Sequence, residues 1–144
     1  MPLKNVVVEA RITDGFTIET KARNHTLYID QPEEGGGKDK GPTPLEYLFF
    51  SLAGCIATIG KIMAKQRGID LRGIDVKVEG NLDIAVLMGK SEEGRAGFRD
   101  IKVIANIDAD MTKEEKEKFL EEIDERCPIS DNIMNTTPCT FEVV

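Results

Sequence analysis

The stretch Gly41–Lys65, GPTPLEYLFFSLAGCIATIGKIMAK, decides how the rest of the chain is read. Leu45, Leu48, Phe49, Leu52, Ile56, Ile59, Ile62 and Met63 recur at helical spacing, and Tyr47, Phe50, Ala53 and Ala57 make nearly every other side apolar. That pattern predicts a helix buried on all sides. No charge falls between Glu46 and Lys61, yet the apolar run stops short of the roughly 18 to 20 residues a bilayer span needs. The expectation is the central core helix of a soluble domain, with no membrane partner. Thr43 is a suitable N-cap, Pro44 fits the first helical position, and Glu46 falls in the first turn, where the helix dipole favours an acid. Arg67-Gly68 closes the helix.

Cys55 sits in mid-helix, directly after Gly54 and not far before Gly60. A glycine inside a helix costs about 1 kcal/mol relative to alanine, so two of them ask for a reason. Close approach of another backbone would supply one, as would room beside the thiol for a small molecule. The plainer alternative is that Cys55 is a small apolar core residue.

Before this helix, Val6, Val7 and Val8 lead into Ala10 and Ile12, Asp14-Gly15 makes a turn into Phe16, Ile18 and Thr20, and Leu27 and Ile29 resume the alternation after a polar segment. Three short antiparallel strands are expected. Gln31–Lys40, QPEEGGGKDK, is a surface loop by composition. Its glycines and Lys38 do not make a phosphate loop, because Asp39 stands where a Ser or Thr would hold the metal.

After the helix, Ile74, Val76 and Val78 alternate with charges, and Leu82, Ile84, Val86 and Met88 extend the pattern beyond Gly80. One long strand bent at Gly80-Asn81 is expected, followed by a charged turn and a strand with Ile101, Val103, Ala105 and Ile107 on one face. Thr112 and Glu115 spell a capping box for an amphipathic helix whose stripe is Phe119, Leu120, Ile123 and Cys127. Pro128 ends it, Ser130 can cap a short turn, and Thr140–Val144 reads as a final strand. Strands on both sides of a buried helix indicate one α+β domain, residues 1–144, with mainly antiparallel sheet.

The net charge of −7 and the pI near 4.8 argue against a nucleic-acid partner, since a phosphate backbone is held by clustered Lys and Arg. The N-terminus MPLKNVVVEA carries no signal-peptide pattern, so a cytoplasmic location is expected. Three cysteines without a CxxC pair do not make a disulfide scaffold. His25, the sole histidine, supports neither a Ser-His-Asp triad nor a zinc site, and Asp108-Ala109-Asp110 lacks the glycine and distal glutamate of a calcium loop. No metal or cofactor is expected. Chemistry is left to the thiols: Cys55 in the core helix and Cys127 on an inward stripe both point to the core, whereas Cys139 has no such setting.

Gly41-Pro42-Thr43-Pro44-Leu45-Glu46, then Leu52-Ala53-Gly54-Cys55, then Cys127-Pro128-Ile129-Ser130 resemble the two cysteine motifs of the OsmC/Ohr superfamily, the osmotically inducible and organic hydroperoxide resistance proteins. The resemblance runs from about Thr26 to the C-terminus and is nearer the OsmC-like branch. It implies an α+β fold whose antiparallel sheet wraps around a long central helix in an intertwined homodimer with active sites at the subunit interface. It also implies a thiol peroxidase acting on hydrogen peroxide or organic hydroperoxides. Cys55 would be the peroxide-attacking cysteine and Cys127 the resolving one, with an external dithiol or a lipoylated protein as reductant.

The helix dipole cannot activate Cys55 unaided, because Cys55 lies about three turns past Pro44 and the dipole fades within one. In the superfamily an arginine paired with a carboxylate stabilises the thiolate. Glu46 resembles that carboxylate, one position later than in peroxidases carrying Asn-Pro-Glu. Nine residues at 100° each set it on roughly the opposite side of the helix from Cys55 and about 13 Å along the axis, so it would serve a partner chain's Cys55. Arg11 is the candidate arginine, chosen over Arg23; its alternative is an ordinary surface charge on a strand. The rival function is a non-enzymatic dimeric module that senses redox state or binds a small apolar ligand.

Overall fold

The computed structural model describes residues 1–144 and divides them into two compact units, Met1–Leu48 and Phe49–Val144. The expected α+β class, with antiparallel sheets and a long helix, is what is found.

In the first unit, β1 (Glu9–Asp14), β2 (Thr17–Ala22) and β3 (His25–Ile29) form an antiparallel sheet in that order. Gly15 adopts φ +59° in the first turn, a conformation open to glycine at little cost. The Val6–Val8 run precedes β1 and is exposed.

The Gly35–Gly37 loop turns out to serve a buried carboxylate. Asp30 accepts hydrogen bonds from the Thr17 hydroxyl at 2.9 Å and from the backbone N–H groups of Gln31 at 2.7 Å and Lys40 at 3.2 Å. A Cβ on Gly37 would lie 2.8 Å from the Asp30 carboxylate and 2.1 Å from the Gln31 carbonyl oxygen, so only glycine lets the loop close this tightly.

Helix α1 (Pro44–Arg67) starts in the first unit and continues through the second. Its start is a capping box: the Glu46 N–H donates to Thr43 Oγ1 at 3.2 Å, and the Thr43 N–H donates back to Glu46 Oε1 at 2.9 Å. Gly68, with φ +67°, follows its end. At 24 residues, α1 is long and apolar enough to cross a membrane, longer than the apolar run alone implied. Its buried residues are a single stripe, Leu52, Ile56, Gly60, Met63 and Ala64, which packs with strand and helix residues of the second unit.

Three sequence expectations need correction. The helix is not buried on all sides: Leu45, Leu48, Phe50 and Ile62 are exposed, because the packing of one chain covers only the stripe from Leu52 onward. The strand after α1 ends earlier than Met88. β4 (Gly73–Leu82) stops at a register shift between Asn81 and Leu82, and Asp83 then caps a short helix α2 (Ile84–Leu87) by accepting the Ala85 N–H at 2.9 Å. Thr140–Val144 forms no strand, since no edge within the chain pairs with it.

β4 pairs with β5 (Phe98–Asp108) as a two-stranded antiparallel ribbon. Ile101, Val103, Ala105 and Ile107 line one face as expected, against Ile74, Val76 and Val78. Gly80 is where the ribbon meets α1: a Cβ there would lie 2.6 Å from the Asp100 carbonyl oxygen and 3.0 Å from Phe49, whose ring stacks on Phe98 at 4.6 Å. Arg72 pairs with Asp108 at 3.1 Å and Asp110 at 3.0 Å, which gives the two aspartates a structural partner. Helix α3 (Lys113–Glu125) opens with the expected Thr112–Glu115 capping box and buries Phe119 and Ile123. Helix α4 (Pro128–Met134) follows at once.

Candidate functional site

Two elements carry the cysteines to one core cluster. The α1 stripe seats Ile56 in the core and leaves the neighbouring Cys55 partly buried against the same cluster. The second sulfur comes from the junction of α3 and α4. Pro128 was expected only to end α3, but it also occupies the first position of α4, where its missing N–H costs nothing. Cys127 is therefore the N-cap of α4 and not the last residue of α3's stripe. It is 1% exposed, and its sulfur accepts the Ser130 N–H at 3.3 Å. Cysteine is outside the usual N-cap set, so Ser130 drew the capping role in the sequence. The Ser130 hydroxyl instead donates to Asp124 Oδ1, tying the last turn of α3 to the first turn of α4.

Cys55 packs against the buried cluster that contains Cys127, and Cys127 and the Ile129 N–H both act on its thiol. Burial pushes the Cys55 thiol above its ordinary value and the neighbouring Cys127 adds to the rise, while the Ile129 N–H acts in the opposite sense. No cation is among the groups acting on it. Gly54 leaves open space beside the helix: a Cβ there would meet nothing within 4 Å. Gly60 is different. A Cβ on it would lie 3.2 Å from Ile123 Cδ1 and 3.3 Å from Ile74 Cδ1, so this glycine admits side chains of α3 and β4.

Of the other candidates, Arg11, His25 and Glu46 lie in the first unit and Cys139 in the second. Arg11 is exposed on β1 opposite Glu19, and Glu46 holds the capping box of α1. His25 is exposed at the start of β3, and Cys139 is exposed beyond α4. No group of three or more His, Cys, Asp or Glu residues is placed to hold a metal. A groove of about 380 Å³ is floored by Ile56, Val103 and Leu120 and rimmed by Glu117, Glu121 and Asp124; neither sulfur lines it.

Sequence reasoning found both sulfurs but missed Asp124 and the two backbone N–H groups. Pro128 at the head of a second helix was the available signal for the N–H groups. Asp124, three turns into an acidic helix, carried none.

No curated protein matches the chain. Solved structures do. An OsmC-like protein from Mycoplasma pneumoniae is 20% identical, with a TM-score of 0.78 over 91% of this chain and 88% of that one. An organic hydroperoxide resistance protein OsmC from Legionella pneumophila is 22% identical, with a TM-score of 0.69 over 92% and 91%. An organic hydroperoxide resistance protein from Elizabethkingia anophelis is 21% identical, with a TM-score of 0.66 over 91% and 89%. The family model described as OsmC-like protein matches residues 37–142, a span that holds α1, both ribbon strands, Cys55 and Cys127. The chain thus belongs to the OsmC-like protein family.

Proposed function

We propose that the chain, as a single OsmC-like domain over residues 1–144, is a cytoplasmic cysteine-based thiol peroxidase reducing organic hydroperoxides or hydrogen peroxide. One observation carries the reading: Cys55 packs against the buried cluster that holds Cys127, and both lie within the span matched by the family model. The similarity to proteins described as organic hydroperoxide resistance proteins supports the substrate class.

In this reading the Cys55 thiolate attacks the terminal peroxide oxygen, the O–O bond breaks, and the alkoxide leaves and takes a proton to become an alcohol. Cys55 is left as a sulfenic acid. The Cys127 sulfur then attacks Cys55 Sγ, the S–O bond breaks, hydroxide leaves as water, and a disulfide remains. An external dithiol or a lipoylated protein reduces it. Because Cys127 is 1% exposed and Cys55 is less enclosed, the reductant's thiolate meets Cys55 first and expels Cys127.

Activation of Cys55 requires a cation to oppose the effect of burial. Arg11, oriented by Glu46, is the proposed source, delivered across a homodimer in which Glu46 serves the partner's Cys55. The exposed apolar residues of α1, Leu45, Leu48, Phe50 and Ile62, are consistent with a second copy packing against this helix.

The second reading is a dimeric redox-sensing module that closes the same disulfide without efficient turnover. It is favoured by the upward push on the Cys55 thiol and the lack of a cation acting on it within one chain. Thiol loss on adding cumene hydroperoxide or hydrogen peroxide separates the two. Fast oxidation ending in a Cys55–Cys127 disulfide, abolished in Cys55→Ser and halted at sulfenic acid in Cys127→Ser, is the expected result. Oxidation no faster than that of an ordinary free thiol would leave the sensing module as the better reading.

A further inference from the structure

The junction between α3 and α4 holds more than a cysteine. Cys127 is almost wholly enclosed, its backbone is extended at φ −86° and ψ 109°, and its sulfur lies 3.3 Å from the Ser130 nitrogen that donates to it. Ser130 is in turn anchored through its hydroxyl to Asp124 on the preceding helix. An exposed serine–aspartate contact of this kind adds little to global stability. Here it spans the residue whose sulfur must approach Cys55, and Pro128 between them contributes no N–H of its own.

We propose that Asp124 and Ser130 are positioning residues for the resolving sulfur: their hydrogen bond locks the Ser130 N–H onto Cys127 Sγ and so holds that sulfur within the core cluster against which Cys55 packs. This rests on the peroxidase reading and concerns its second step. In that step Cys127 Sγ forms the new S–S bond, the S–O bond of the Cys55 sulfenic acid breaks, and hydroxide departs with the Cys127 proton as water. The step is a displacement, and displacements depend steeply on alignment of the attacking atom. Without the anchor, the first turn of α4 keeps Pro128, its own backbone bonds and the bond from the Cys127 N–H to the Asp124 carbonyl but loses its side-chain tie to α3, and Cys127 Sγ samples directions away from Cys55. On reduction the same lock receives Cys127 as it leaves the disulfide.

The test is a peroxide pulse on the reduced full-length protein, following sulfenic acid at Cys55 by dimedone trapping and closure by loss of the second thiol, in wild type, Ser130→Ala, Ser130→Thr and Asp124→Asn. Ser130→Ala is expected to close roughly tenfold more slowly, the order of one hydrogen bond to a charged group, and to accumulate trapped sulfenic acid. Asp124→Asn is expected to do the same in part, and Ser130→Thr, which keeps the hydroxyl, to restore closure. A purely structural role would lower the melting temperature of the variants without changing the ratio of sulfenic acid to disulfide. Closure at the wild-type rate in both Ser130→Ala and Asp124→Asn would overturn the proposal, and Asp124→Asn, altering an exposed side chain, decides the matter if Ser130→Ala folds poorly. Failure of the wild type to form either sulfenic acid or disulfide on the peroxide pulse would instead overturn the peroxidase reading, so the two failures are distinct.

Discussion

Asp30 is the residue whose charge state should be visible in the stability of the fold. Burial works to raise its carboxyl, but the bonds from Gln31, Thr17, Lys40 and Lys38 prevail and hold it below its ordinary 3.8. A group with a lowered folded value stabilises the native state above its unfolded value, and loses that contribution as pH falls through the folded value. Wild type is therefore expected to melt higher than Asp30→Asn at pH 7, with the gap narrowing below about pH 4; an equal gap at pH 7 and pH 3 would contradict it. Cys55 carries the opposite shift, above 9.0 within one chain. If Arg11 activates it, the pH midpoint of Cys55 alkylation by iodoacetamide should lie below that value in wild type and rise in Arg11→Ala. An unchanged midpoint would remove Arg11 from the site. Both cysteines were legible as residues; the environment setting their reactivity was not, because it depends on backbone N–H groups of another helix.

The two glycines of α1 and Gly80 of β4 separate conformational freedom from space at the level of the element. Gly80→Ala would push a methyl group against the Asp100 backbone oxygen and the Phe49 ring, neither of which can yield cheaply. A loss of about 1–3 kcal/mol in urea unfolding is expected, the usual cost of overpacking. Gly54→Ala meets open space within the chain, so helix propensity should dominate and stability should rise by up to about 1 kcal/mol; a loss would locate a second copy against that face. Sequence pattern identified α1, and the β5 and α3 stripes with their inward faces, since period 3.6 and period 2 are local properties, but it did not single out the one buried stripe of α1. It failed at Ile84–Leu87, where alternation continued but the Asp83 cap and the broken register ended the strand. It failed again at Thr140–Val144, where β-forming residues have no partner edge.

Exposed apolar surface is the dominant unexplained property of the whole molecule. Phe141 is 94% exposed, and Leu45, Leu48, Phe50 and Ile62 repeat along α1. Such a surface on one chain marks an interaction site. The proposed homodimer predicts a sedimentation mass of twice the 15.9 kDa chain and a melting temperature that rises with protein concentration. Ile62→Glu should shift the mass toward that of one chain by placing a charge in the interface. A wild-type mass of one chain at all concentrations would rule the homodimer out and leave Cys55 without a cation from a partner.

By itself the sequence determined the antiparallel strands, the capped central helix, the second amphipathic helix and the two cysteines, because periodicity, caps and motifs are written within a few residues of one another. Only the tertiary structure decided that Cys55 packs on the cluster holding Cys127, that Asp124 reaches Ser130 across Cys127, and that the glycine loop closes around Asp30. These are contacts between residues separated along the chain and joined by packing, and neither local propensity nor hydrophobic pattern encodes which side chains packing will bring within hydrogen-bonding reach.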